Sequence, residues 1–85
     1  ALNKSDNGKP TYVTLAKDGV ILVNEKSTDE TTLAKILADA IGASSDKTVI
    51  IRGDESVVLG KAVKIMDAAR GAGAEKIALA TQAPN

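Results

Sequence analysis

The 85-residue chain has no histidine and no cysteine, and its one aromatic residue is Tyr12. Without histidine the commonest general base near neutral pH is missing. Without cysteine there is no thiolate nucleophile, no disulfide and no zinc site built on sulfur. A single ring offers almost no platform on which bases or sugars could stack. An excess of charge of one sign is lacking too. Eleven Lys+Arg stand against eleven Asp+Glu, a net charge of zero, where a nucleic-acid binder would show a concentrated basic face. No unbroken apolar run exceeds four residues, as in Val20 to Val23, against roughly twenty for a membrane-spanning helix. There is no signal-peptide pattern, and the chain starts at Ala1 without Met, so it reads as a mature protein or an excised soluble piece of a longer one. These absences argue against an enzyme, and no catalytic residue, metal or cofactor is assigned.

What is present makes one small domain. Residues 1–10 hold a single aliphatic, Leu2, among polar residues, Gly8 and Pro10, too little to offset the entropy of ordering, and are expected to be a flexible lead-in. The folded unit is expected over 11–82, with 83–85 as a tail. Thr11 to Leu15 alternates as a half-buried strand, Lys17-Asp18-Gly19 supplies a hairpin turn, and Val20 to Val23 reads as a strand covered on both faces. Ser27 or Thr28 is the expected cap of a first helix, with Glu30 placed for a capping box if Ser27 is the cap. Leu33, Ile36, Leu37, Ala40 and Ile41 form its apolar stripe, and Gly42 is expected to end it. Thr48 to Arg52 is a third strand. A second helix runs from about Val58 to Ala72, with Val58, Ala62, Ile65, Met66 and Ala69 inward and Gly73 as its stop. Lys76 to Thr81 is the fourth strand, Ile77 and Leu79 alternating inward. The order ββαβαβ predicts an α+β domain, a mixed sheet packed by two helices. With both helices on one face and right-handed crossovers, the last strand falls at an edge.

Short motifs that suggest chemistry have plainer explanations. Gly60-Lys61-Ala62 lacks the glycine spacing and the hydroxyl of a phosphate loop, and reads as a helix-start glycine and a surface lysine. Gly71-Ala72-Gly73 follows a helix instead of opening one, so it is a stop. Arg52-Gly53-Asp54 matches an adhesion tripeptide, but at a strand end a simple turn is the better account. Asp54 and Glu55 lack a third ligand for a cation and suit the first turn of the next helix. Asp67, Arg70, Glu30 and Lys35 read as solvated surface charge.

The pattern from Tyr12 to Gln82 resembles the periplasmic domain of the ExbD/TolR family. The most specific pieces are Ile51-Arg52-Gly53-Asp54-Glu55-Ser56-Val57, the helix Val63-Lys64-Ile65-Met66-Asp67, and Lys76-Ile77-Ala78-Leu79 after Gly73. Lys9-Pro10 and Thr28-Asp29-Glu30-Thr31 favour the ExbD branch, while Ala80-Thr81-Gln82 also suits TolR. Gly53, where relatives often have Ala, and Val58-Leu59, where they often have Pro or Tyr, depart from the pattern. The resemblance implies a single-pass inner-membrane protein whose membrane helix is not in this chain. An ExbB-like channel subunit, a TonB-like partner, proton-motive force and a homodimer are the implied context. For TolR-branch relatives it implies peptidoglycan binding.

Three functions follow. The first is a coupling module that captures an extended segment of a TonB-like partner on an open sheet edge, where backbone hydrogen bonds need no special side chains. Lys76, Ile77, Ala78, Leu79, Ala80 and Thr81 are the expected binding residues, with small Ala78 and Ala80 leaving room for close approach. Internal packing or pairing with a second copy is the plain alternative for this strand. The second is a cell-wall module with Arg52, Asp54 and Glu55 around a groove. The third is a metal-dependent hydrolase using Asp54 or Glu55, for which the sequence offers least.

Overall fold

The computed structural model describes residues 8–82; the outer lead-in, 1–7, and the tail, 83–85, lie outside them. The elements are β1 (Thr11–Leu15), β2 (Ile21–Val23), β3 (Lys26–Thr28), α1 (Leu33–Gly42), β4 (Thr48–Asp54), α2 (Glu55–Gly71) and β5 (Lys76–Gln82). They form one mixed five-stranded sheet in the order β3-β2-β1-β4-β5. The first three strands are antiparallel neighbours, while β4 joins β1, and β5 joins β4, in parallel. The α+β class with a mixed sheet and two helices is therefore as the sequence predicts, with one strand more.

The extra strand is β3, and it displaces the expected start of the first helix. Asn24 and Glu25 both take positive φ, 50° and 73°, which closes a two-residue hairpin between Val23 and its partner Lys26. Ser27 and Thr28 are thus strand residues and cap nothing. Asp29 takes over the turn: its Oδ1 accepts from the N–H groups of Thr31 and Thr32 at 2.9 and 3.0 Å. The helix opens only at Leu33, with Thr32 as a cap whose hydroxyl accepts nothing from the helix N–H groups and instead donates to Asp29 Oδ1 at 3.2 Å. Gly42 is likewise not the left-handed stop expected of it. It is the last helical residue and Ala43 caps in helical geometry, while Lys47 Nζ donates to the Ile41 and Ser44 carbonyls at 2.7 Å each. A lysine covers the carbonyl end of α1 where the sequence suggested a glycine.

Hairpin β1–β2 turns as read. Asp18 Oδ1 accepts from Val20 N–H at 3.1 Å and Gly19 takes φ 92°. α2 begins earlier than expected because Asp54 is its cap, accepting from Ser56 N–H at 3.0 Å and Ser56 Oγ at 2.6 Å. Gly60 therefore lies inside α2 and not at its start.

Both helices cover one face of the sheet, α1 over β1 and β2 and α2 over β4 and β5. The core lies between: Val13, Leu15, Ile21, Val23, Val49 and Ile51 from the sheet meet Leu33, Leu37 and Ile41 of α1 and Val58, Ile65 and Ala69 of α2. These are the stripes that the helical periodicity marks. No described element covers the opposite face. Leu22 is accordingly only half-buried, and β2 is not the doubly covered strand its composition suggested. On that face the Arg52 guanidinium lies 4.5 Å from the Tyr12 ring centre and its Nε donates to Thr14 Oγ1 at 2.9 Å. The one aromatic of the chain holds an arginine flat across the sheet. At the domain's entrance, buried Ser44 donates from Oγ to the Lys9 carbonyl at 2.7 Å, fixing where the chain enters β1.

Candidate partner-binding edge

β5 pairs with β4 from Thr48↔Lys76 to Asp54↔Gln82 and has no strand on its other side among the described residues. Every second residue of such a strand points its N–H and C=O away from the sheet, where another chain can accept and donate. The turn after α2 sets where this edge starts. Gly73 takes φ 109°, its N–H donates to the Arg70 carbonyl at 3.1 Å, and Ala74 N–H donates to the Ala69 carbonyl at 3.0 Å. These two bonds are the paired closure of a helix that ends on a left-handed glycine. Glu75 N–H then donates to the Lys47 carbonyl at 2.8 Å, and β5 is laid against β4 from its first residue.

The structure thus places Lys76, Ile77, Ala78, Leu79, Ala80 and Thr81 together on one sheet edge. Val49 and Ile51 face the helices with no exposed surface, and register puts Ile77 and Leu79 beside them. Ile77 is half-buried against the core, but Leu79 is 47% exposed. Alternation predicted the face correctly; the helix layer stops short of Leu79. Ala78 and Ala80 lie on the uncovered face and are exposed. The other edge differs. β3 has three residues and opens with exposed Lys26 and Ser27. Shortness and an edge lysine are the usual ways of discouraging strand addition, and β5 has seven residues with a lysine only at its start.

Arg52, Asp54 and Glu55, expected around a groove, are not brought together as one. Arg52 lies on the uncovered sheet face. Asp54 caps α2, and its Oδ2 sits 3.7 Å from Lys17 Nζ. Glu55 is exposed in the first turn of α2. The Asp54 carboxyl is held below its usual value, chiefly by the Ser56 hydroxyl and with a smaller contribution from Lys17. No three Asp or Glu side chains converge among the described residues. Beside Arg52 there is an open depression of about 470 Å³ lined by Thr14, Arg52, Gly53, Ala80 and Thr81. Its floor depends on Gly53, at φ 148°, where an added Cβ would fall 2.5 Å from the Leu15 carbonyl oxygen. Glu30, read as solvated surface charge, is half-exposed in the turn before α1 and reaches across to α2. It meets Lys61 Nζ at 3.1 Å and Lys64 Nζ at 3.7 Å, and Lys61 foremost lowers the carboxyl's pKa.

Comparison with known proteins gives the chain a family. Residues 3–84 match the profile of the family described as Biopolymer transport protein ExbD/TolR. The chain belongs to the ExbD/TolR family. A curated relative, Biopolymer transport protein exbD2 of Vibrio cholerae serotype O1 (strain ATCC 39315 / El Tor Inaba N16961), is 32% identical over 84 residues. The match takes in 99% of this chain and 61% of the relative. An ExbD/TolR assignment therefore covers every described element, including the β5 edge, while the relative extends well beyond them. No helix among the described residues is long and apolar enough to cross a membrane.

Proposed function

We propose that this is the periplasmic domain of a single-pass inner-membrane ExbD-like protein, and that it acts by binding and without catalysis. Within a complex that includes an ExbB-like channel subunit, it passes proton-motive force to a TonB-like protein serving transport across the outer membrane. The observation that carries the reading is the long, unblunted β5 edge, Lys76–Gln82. Strand addition there recognises a flexible segment through backbone hydrogen bonds, which suits a sequence without histidine or cysteine. Coupling needs a contact that forms and releases, and an edge that accepts one strand at a time provides it. The decisive experiment is an amide chemical-shift titration with the periplasmic linker peptide of a TonB-like partner. Shifts centred on Lys76 to Thr81 support capture at β5. Shifts confined to another surface remove this edge as the site, and none at millimolar peptide removes the partner.

A TolR-like cell-wall role has one observation in its favour. The depression beside Arg52 combines a fixed guanidinium with the Thr14 and Thr81 hydroxyls on an uncovered sheet face, a setting for a polar ligand. Retention of the domain in the pellet with purified peptidoglycan, lost in Arg52→Ala, would put this role in place of partner capture.

A further inference from the structure

Three of the four large hydrophobics exposed among the described residues are Leu59 at 66%, Val63 at 73% and Leu79 at 47%. At 100° per residue, α2 presents three sides. Val58, Ala62, Ile65 and Ala69 point down into the core. About 100° to one side, Lys61 and Lys64 reach Glu30 at the start of α1. About 100° to the other side lie Leu59, Val63 and half-buried Met66. Since α1 covers β1 and β2 and α2 covers β4 and β5, this last flank overlooks the open side of β5, where Leu79 stands half-exposed on the same layer. The apolar flank and the unpaired backbone edge are two walls of one corner.

We propose that this flank is the side-chain-reading half of the β5 edge. On the capture reading above, it selects a segment with aliphatic residues at every second position. A strand added beside β5 alternates its side chains between the two sheet faces. Those on the helix side enter the corner bounded by Leu79, Leu59 and Val63, while those on the uncovered side pass Ala78 and Ala80, which set no demand. Charge refines the occupant. The chain returns from α2 to β5 through exposed Arg70, Glu75 and Lys76, one net positive charge, whereas exposed Glu55 opens α2 at the far end. The fitting segment is acidic at the end beside Lys76 and basic at the other.

The test uses two synthetic probes of equal length and similar β preference, Asp-Ser-Val-Ser-Val-Ser-Val-Ser-Lys and the same peptide with each Val replaced by Thr. Both offer the same backbone and nearly the same shape, and differ in methyl against hydroxyl at three positions. The Val peptide is expected to shift β5 amides with roughly tenfold or greater affinity over the Thr peptide, the partial burial of three methyl groups. In the double variant Leu59→Ser, Val63→Ser the preference should fall to under about twofold. Both side chains are mostly exposed, so the fold is kept, as an unchanged amide spectrum for α1 and β1 would verify. Equal affinity of the two peptides at β5 overturns side-chain reading and leaves edge capture standing. A preference that survives in the double variant places the reading elsewhere. Absence of any β5 shift with either peptide removes edge capture and this proposal with it.

Discussion

Replacing Gly73 by Ala, with Gly71→Ala as its control, tests the turn that delivers the chain to β5. At Gly73 an added Cβ would meet only Ile41 Cγ2 at 3.8 Å, an ordinary contact, so there is room for it. The penalty is the backbone alone, since φ is 109°, where an L side chain costs about 1–2 kcal/mol. Against this, alanine stiffens the unfolded chain by about 0.5 kcal/mol, leaving a net loss of about 1 kcal/mol. Gly71 is the last helical residue of α2 and has nothing within 4 Å of its would-be Cβ. There alanine gains both helix propensity and unfolded-state stiffness, about 0.5–1 kcal/mol of stabilisation. Two substitutions two residues apart therefore change stability in opposite directions. For a domain of this size the separation amounts to roughly 6–16 °C in Tm. Urea unfolding should show the midpoints moving apart at constant slope. Amide exchange should speed at Lys76 and Ile77 in Gly73→Ala before it speeds in the core. Stabilisation by both substitutions, or no effect at Gly73, would refute a left-handed stop before β5.

Other perturbations test the remaining supports. Leu37→Ala empties a fully buried site where α1 meets the sheet; a loss of about 3 kcal/mol is expected in chemical denaturation, a large share of a small domain's stability. Lys47→Met should cost about 1–2 kcal/mol by taking this donor from the Ser44 carbonyl and leaving the Ile41 carbonyl with the Ser44 N–H alone, read as a lower Tm and faster amide exchange at the end of α1. Asp29, Glu30 and Asp54 are all held below their usual values, 3.8 for the aspartates and 4.5 for the glutamate. Their contribution is therefore complete above those values and is lost as pH falls through the lower, folded-state ones. Tm should be level from about pH 7 to 5 and drop below about pH 4. Asp54→Asn keeps an oxygen for Ser56 but cannot titrate, so the acid drop should be shallower.

How much of this was legible depended on whether a feature is local. Asp18-Gly19 carries its own turn chemistry, and the Leu33 to Ile41 stripe its own period, so both were readable. β3 was not, because Lys26-Ser27-Thr28 has no apolar alternation and Glu25 is an unusual residue to hold a positive φ. Its hairpin depends on a distant contact: Tyr12 N–H donates to Asn24 Oδ1, and Asn24 N–H to the Tyr12 carbonyl, each at 2.9 Å. With β3 unseen, Ser27 and Thr28 looked like caps. The open edge at β5 was readable in position, since two crossovers stepping one way leave the last strand outermost. Its apolar corner was not. Period 3.6 shows that Leu59 and Val63 lie off the buried stripe of α2, but not that they overlook an unpaired strand. Likewise alternation assigned Leu79 to the helix side without showing that α2 stops short of it.

The two edge features need each other on energetic grounds. An added strand along seven residues makes roughly six backbone hydrogen bonds, each worth about 1 kcal/mol net. Fixing seven residues of a flexible segment costs about 1–2 kcal/mol each. Backbone pairing alone thus gives at most a weak contact. The deficit must come from apolar burial, at about 25 cal/mol per Å². Next to β5 the exposed apolar side chains on the helix side are Leu59, Val63 and Leu79. For the proposed capture to hold, their burial has to offset the shortfall without making the contact permanent. A contact balanced in this way can be made and broken repeatedly, whereas an obligate interface of the usual size would lock its partner in place. Lengthening the edge or enlarging the flank should therefore increase affinity and impair turnover together.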